Sequence, residues 1–547
     1  MCSYQRLNNS YGCANSKSLN GLLKTELGFQ GWVVSDWGAL HAGVAAALAG
    51  MDVVMPNGAA LWGSHLVDAV TNGTLPEARI DDMVIRTLAT WFHLHQDESI
   101  PHPGIGMASD LTSPHPLVDA RNKTFRTTLH TGAVEGHVLV KNSHSTLPLT
   151  SPKLLSLFGY SAKSPDRTNP TAGLSPWLWG AESFNYTEFS QRFFGFSAWN
   201  DPDVTSTPIA VNGTLYTGGG SGATSSSTFS SPFSALSERA YDDGTALFWD
   251  FTSAEPSVHP LSEACLVFGN AYATEAADRP ALSDSYTDNL VLHVAARCNR
   301  TVVILHNAGT RLVEAFADHP NVTAIIFAHL PGEASGRALV DVLYGVVSPS
   351  GKLPYTVARK EGDYKVLGPD GTEGGRFRRF PQSNFTEGVM VDYRGFDEGN
   401  VTVRYEFGFG LSYTRFNYSG LVVGRKDGGV FGEFPTGEVV EGGQKDLWDV
   451  LVEVAADVAN VGEVDGAEVA QLYVGIPADG APVRQLRGFE KPFIKAGEKT
   501  TVRFGLTRRD LSVWDVVAQK WRLVRGEYTI SVGASSRNLP LVGKITI

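Results

Sequence analysis

The sequence predicts a multidomain α/β protein that ends in a β-sandwich. Three observations carry this. Over residues 1–95 short apolar strands alternate with helical segments. The alternation resumes near Ala133 with longer apolar strands. From about residue 405 the helices stop, and short strands follow one another between Gly and Asn turns. A chain of 547 residues has room for about three or four domains.

In the first segment Asn15-Ser16 is placed to cap a helix carrying Leu19, Leu22, Leu23 and Leu27, stopped by Gly28. Trp32, Val33 and Val34 read as a short buried strand with Asp36 at its end. The Ala-rich stretch 39–49 before Gly50 reads as a helix, and Asp52-Val53-Val54-Met55-Pro56 as a second strand. Leu75 to His95 is a long amphipathic helix with Pro76 near its first turn. These amount to about two units of a parallel α/β barrel, which needs eight to close. The segment is therefore the tail of a barrel or part of another α/β sheet. Residues 96–125, with several Pro and His, read as a surface linker.

The second region carries strands at Val138–Asn142, Leu154–Phe158, Cys265–Phe268, Thr301–Leu305 and Ala324–Phe327. Such apolar strands between helices predict a sheet covered on both faces. The Gly/Ser/Thr-rich stretch 216–231 reads as a flexible surface loop. It lacks the Lys-Ser/Thr of a phosphate loop. Val450–Val454, Val469–Val474, Thr501–Phe504 and Tyr528–Val532 are the strands of the sandwich.

Hydrophobic residues make up 42% and charged residues 19% of the chain, an ordinary globular balance. The net charge of −12, with no face obviously rich in Lys or Arg, argues against nucleic acid as a partner. No apolar run reaches the length that spans a bilayer. The four cysteines fall as two pairs local in sequence, without zinc spacing. They read as disulfides Cys2–Cys13 and Cys265–Cys298, with four buried thiols as the alternative. Ten Asn-x-Ser/Thr sequons begin at Asn8, Asn72, Asn122, Asn185, Asn212, Asn299, Asn321, Asn384, Asn400 and Asn417. With paired cysteines, they favour a glycosylated secreted protein. Met1 to Arg6 has neither an apolar core nor a cleavage site, so the sequence contains no signal peptide. Either the protein is cytosolic or its start is missing.

Gly31-Trp32-Val33-Val34-Ser35-Asp36-Trp37 carries the chemistry. A carboxylate at the C-terminal end of a barrel strand, beside an indole that can stack on a sugar, suggests a glycosidase nucleophile. The structural alternative is an Asp that caps the next helix or turn.

The flanks decide between them. Leu22-Leu23-Lys24-x-Glu26, then Gly31-x-Val33-Val34-Ser35-Asp36-Trp37-Gly38-Ala39, form the first block. Met1-Cys2-Ser3-Tyr4 lies upstream, and Ala49-Gly50-Met51-Asp52-Val53-Val54-Met55-Pro56 follows. Further on come Pro331-Gly332-Glu333-Ala334-Ser335-Gly336, Pro349-Ser350-Gly351-Lys352-Leu353-Pro354 and Phe407-Gly408-Phe409-Gly410-Leu411-Ser412-Tyr413. In this order, over nearly the whole chain, they resemble glycoside hydrolase family 3, most closely its secreted fungal β-glucosidases. Trp32 departs from the usual aliphatic or Phe.

The resemblance implies a fold and a site. Residues 1–95 would be the C-terminal remnant of a TIM (β/α)8 barrel and 96–128 a linker. An α/β sandwich would span 129–360, a connecting segment 361–425 and a fibronectin-III-like β-sandwich 426–547. Asp36 would be the nucleophile of a retaining hydrolase that releases terminal β-D-glucose from β-glucosides and cello-oligosaccharides. Such chemistry needs a second carboxyl about 5–5.5 Å away. In the family it comes from the second domain, which here points to Glu275, although Thr274 and Ala276 replace the usual glycines. Glu333 is the rival, with capping of the following helix as its structural alternative. Met1, Tyr4 and Trp37 would line the sugar sites and Ser221 would border the pocket. No metal, no cofactor and no membrane are implied, and a homodimer is compatible.

Met1 matches a position deep inside the family's first domain. The expectation is thus a secreted parent protein with a missing start, and a 547-residue chain that is inactive and poorly stable by itself. The alternatives are a secreted non-catalytic carbohydrate- or cell-wall-binding protein, and a β-xylosidase or broad aryl-β-glycosidase of the same mechanism. Trp37 favours the glucosidase over the xylosidase.

Overall fold

A computed structural model describes residues 1–58, 60–99, 121–164, 209–219, 228–273, 279–364 and 385–547. The chain forms two units. The first joins Met1–Gly106, Arg425–Val452 and Leu506–Arg525; the second joins Met107–Gly424, Glu453–Gly505 and Gly526–Ile547. Segments 425–452 and 506–525, which the sequence groups with the sandwich, thus cluster with the N-terminal segment. The Leu27 carbonyl accepts the N–H groups of Gly442 and Gly443 at 2.7 and 3.1 Å. Gly28 (φ 61°) lets the chains approach so closely that a Cβ there would lie 2.4 Å from the Val440 carbonyl oxygen.

In the first unit a small hairpin pairs β1 (Arg6–Leu7) with β2 (Ser10–Tyr11). Helix α1 (Lys17–Glu26) has π geometry, with Leu27 N–H donating to the Leu22 carbonyl at 3.0 Å. The Asn15 carboxamide oxygen accepts the Ser18 N–H at 2.9 Å, which is the expected cap. The leucine stripe does not bury as one face: Leu19 is inside, whereas Leu22 and Leu27 are exposed. Helix α2 covers only Val44–Ala49 and ends at Gly50 (φ 110°). Helices α3 (Ser64–Thr71) and α4 (Glu77–His93) complete the set. The two expected strands reduce to single parallel bridges, Val34 to Val53 and Cys2 to Ser35. The extended segment 33–36 therefore lies between residue 2 and residue 53.

The second unit holds a six-stranded sheet. Its strands are β3 (Val138–Asn142), β4 (Leu154–Phe158), β5 (Ala246–Asp250), β6 (Ala264–Ala271), β7 (Thr301–Asn307) and β8 (Val322–Phe327). Their order is β3-β8-β7-β6-β4-β5; β3 runs antiparallel to β8 and the other pairs are parallel. Successive side chains feed opposite cores, as a pleated strand requires. Cys265 and Val267 join Leu290, Val294 and Phe316, while Leu266 and Phe268 join Leu236, Leu339 and Val342. Both faces are covered, and β6, β7 and β8 are buried throughout. Edge strand β5 was absent from the sequence expectation. Helix α5 (Arg126–Gly136) begins inside the segment read as linker, behind a short turn at Lys123–Phe125.

Toward the C-terminus, strands Phe416–Arg425, Val450–Asn460 and Lys499–Thr507 form one sheet. Gln485–Glu490, Ala470–Gly475, Glu527–Gly533 and Leu541–Thr546 form an antiparallel second. Val450–Asn460 alternates buried with less buried residues, the period-two signature read in the sequence.

Candidate active site

The backbone fixes Asp36 before its side chain does anything. Asp36 N–H donates to the Cys2 carbonyl at 2.7 Å, Cys2 N–H to Val34 at 2.9 Å, and Ser35 N–H to Val53 at 2.9 Å. The Cys2–Cys13 disulfide fastens the outer of these segments. The Ser35 hydroxyl, fully buried, accepts Met55 N–H at 2.9 Å.

The carboxylate is then oriented from two sides. Ser3 Oγ donates to Oδ2 at 2.8 Å, and the Trp37 N–H donates to Oδ1 at 2.7 Å. Burial pushes the Asp36 carboxyl up. The hydroxyls of Ser3 and Tyr4 and the Trp37 N–H outweigh it and hold the group below its ordinary value. Asp36 is thus kept as the anion that nucleophilic attack requires. The turn role is present too, since Ala39 N–H donates to the Asp36 carbonyl at 3.1 Å. Tyr4 Oη also donates to the Trp37 carbonyl at 3.1 Å. Met1 and Trp37 are 82% and 61% exposed. Ser3 was not singled out from the sequence. The signal was its position beside Cys2, since pairing Cys2 with Ser35 sets residue 3 next to residue 36.

Beneath the site lies an ionic clamp that sequence reasoning also missed. The Asp52 side chain is fully buried and accepts Lys24 Nζ at 2.9 Å, Arg79 Nη2 at 2.6 Å and the Val33 N–H at 2.8 Å. Arg86 donates to the carbonyls of Phe29 and Gly31 at 2.9 and 3.0 Å. Helix α4 therefore grips both the approach to residues 33–36 and the segment beside it.

Glu275 and Ser221 lie outside the described residues, as do Asn185 and Asn384. The described ends of their segments meet: Gly219 N–H donates to the Ala273 carbonyl at 3.0 Å. Asn270, near the end of β6, holds residues 211–213 through three hydrogen bonds of 2.8–3.0 Å. Glu333 does not cap the helix Ser335–Leu343. Its Oε1 accepts the Thr228 hydroxyl at 3.1 Å in a polar cleft of about 540 Å3. Arg279 donates to the carbonyls of Tyr272 and Thr310.

Cys265 and Cys298 are bridged. Asn8, Asn72, Asn122, Asn212, Asn299, Asn400 and Asn417 are exposed. Asn321 is half-buried, and its Nδ2 donates to the Ala295 carbonyl at 2.8 Å. Among the described residues no helix is long and apolar enough to cross a membrane, and no His/Cys/Asp/Glu cluster could hold a metal ion.

Comparison with known proteins places these features. The glycosyl hydrolase family 3 N terminal domain matches residues 1–90, its C-terminal domain residues 137–413, and a fibronectin type III-like domain residues 468–536. The chain is 52% identical to probable beta-glucosidase M of Aspergillus fumigatus, covering all of this chain and 67% of that protein. It is 46% identical to beta-glucosidase cel3A of Pyricularia oryzae, covering 100% and 68%. Its fold is similar to the crystal structure of the beta-D-glucoside glucohydrolase of Trichoderma reesei (TM-score 0.82, 34% identity, 100% of this chain and 72% of that one). It is equally similar to beta-glucosidase D2-BGL of Chaetomella raphigera (TM-score 0.84, 35% identity, 100% and 72%).

Proposed function

This chain belongs to glycoside hydrolase family 3, and we propose that it is a secreted, retaining β-glucosidase. It removes terminal non-reducing β-D-glucose from β-glucosides and cello-oligosaccharides. Asp36 attacks the anomeric carbon, and Glu275 protonates the departing oxygen and then activates water. The observation that carries the reading is Asp36 held as an anion at an extended-chain end by Ser3 and the Trp37 N–H, with an exposed indole beside it. The names of relatives at about half identity over the whole chain support the substrate class. The two disulfides and the exposed sequons support secretion.

Prolonged incubation with a 2-deoxy-2-fluoro-glucoside bearing a good leaving group tests the nucleophile. The expected result is a fluoroglucosyl mass on the peptide containing Asp36, lost in Asp36→Ala. Label on another carboxylate refutes the assignment. Hydrolysis of an aryl β-glucoside that Asp36→Ala leaves unchanged refutes it as well.

A further inference from the structure

Within the first unit, helix α1 and the hairpin of Ser512–Asp515 with Lys520–Leu523 border a cavity of about 280 Å3. Trp514 and Trp521 are directly opposed across the hairpin. Their ring centroids are 5.4 Å apart, in an edge-to-face arrangement at 70°. The Arg509 guanidinium lies 3.4 Å from the Trp521 centroid and covers one face of that ring. Leu22 of α1 and Leu27, the residue that follows the helix, are exposed and also line the cavity.

Polar groups are set into this apolar frame. Gln444 directs its Nε2 to the carbonyls of Pro435 and Gly437, at 3.2 and 3.1 Å. Among the described residues its Oε1 receives no hydrogen bond and remains as an acceptor. Glu26 and Lys520 also line the cavity, and their side chains have no hydrogen bond or ion pair among the described residues.

We propose that this cavity is a second carbohydrate site, binding one glucosyl unit of a β-glucan chain, with none of its lining shared with Asp36. A pyranose presents an apolar C–H face that fits against an indole, and a rim of hydroxyls that both donate and accept. The cavity offers the matching set: indole surface from the Trp514–Trp521 pair, a carboxylate, a carboxamide oxygen and an ammonium. An apolar peptide would bury Glu26 and Lys520 without partners, and an anion would face the Glu26 carboxylate. The volume lies just under the lower end of ligand pockets, about 300 Å3, which suits a single ring. The choice of glucose rests on the substrate class proposed above.

Tryptophan fluorescence titration with cellotetraose, on the chain carrying Asp36→Ala to prevent hydrolysis and Trp37→Ala to silence the indole beside it, tests the site. Saturable quenching is expected, with Trp521→Ala and Glu26→Ala each weakening binding about ten-fold. Glu26→Ala keeps the melting curve of its parent, which separates lost binding from lost folding. With Asp36 intact, neither variant changes the rate on a small aryl β-glucoside. Absence of cellotetraose binding, or equal binding by the Glu26→Ala chain, overturns the proposal. So does concentration-dependent self-association that Trp521→Ala abolishes without any sugar binding, because the occupant is then a second copy. An unsubstituted chain that hydrolyses no aryl β-glucoside would strike the β-glucosidase reading and leave the binding result standing.

Discussion

Replacing Asp52 with Ala removes the anion that neutralises two largely buried cations. The Lys24 and Arg79 side chains are 8% and 12% exposed, and the Asp52 carboxylate is 0% exposed. Deleting one partner of such a cluster costs about 3–5 kcal/mol, because the remaining charges stay out of water. The Val33 N–H loses its acceptor as well. Two contacts soften the loss: Arg79 keeps Asp82 at 2.9 Å, and Lys24 keeps it at 3.9 Å. The expected cost is therefore the lower end, about 3 kcal/mol. A chain of several domains does not unfold as one unit, so the local opening of residues 33–36 is the quantity to measure. Native-state hydrogen exchange at the Val33, Ser35 and Asp36 amides should accelerate about a hundredfold, the equivalent of that free energy. Burial lowers the Lys24 pKa while Asp52 raises it, so without Asp52 the ammonium gives up its proton more readily. The penalty should accordingly shrink as pH rises. An acceleration below about five-fold, or the same effect from Asp82→Ala, would refute the clamp as the support of the Asp36 segment.

Ser3→Ala removes a hydrogen bond that favours the Asp36 anion, so the acid limb of the kcat/KM profile should move to higher pH; an unmoved limb refutes the role of Ser3. Burial lowers His137 to about 4 and His306 to about 3, from an ordinary 6.5. Both are neutral when folded and take up protons on unfolding below pH 6.5. Their stabilising contribution is complete above 6.5 and falls with pH, by about 1.4 kcal/mol per unit for each histidine down to its folded value. His306→Gln should flatten the acid side of the stability curve of the second unit by about one proton's slope, checked by melts between pH 4 and pH 7. Removing the Cys265–Cys298 bridge as a double alanine variant frees a loop with a sequence separation of 33. Chain entropy puts the cost near 3.8 kcal/mol, read as a lower melting temperature of that unit; an unchanged melt contradicts it.

Much of the fold was legible because it is written in local chemistry. Period-two alternation marks Val450–Asn460, and continuous apolar runs mark β6, β7 and β8. Asn15 and Gly50 announce helix ends through a side-chain acceptor and a left-handed φ. Strand β5 escaped because Ala-Leu-Phe-Trp-Asp lies at a sheet edge with Phe248 and Trp249 half out in solvent, so neither alternation nor full burial marks it. The bridges at Val34 and Ser35 are shorter than the strands expected, since backbone pairing there extends one residue at a time.

Sequence by itself determined the family and the motif around Asp36, because a carboxylate after Val33-Val34-Ser35 and its ordered neighbours are local, countable features. It also singled out Glu275, which stays a proposal. Only the tertiary structure decided how Asp36 is held. Ser3 reaches it across 33 residues, and Asp52 gathers Lys24 and Arg79 from 28 and 27 residues away. Likewise, only packing put Trp514 and Trp521 beside helix α1. Hydrogen bonds and ion pairs are satisfied by whichever groups packing brings within about 3 Å, and separation along the chain carries no information about that distance.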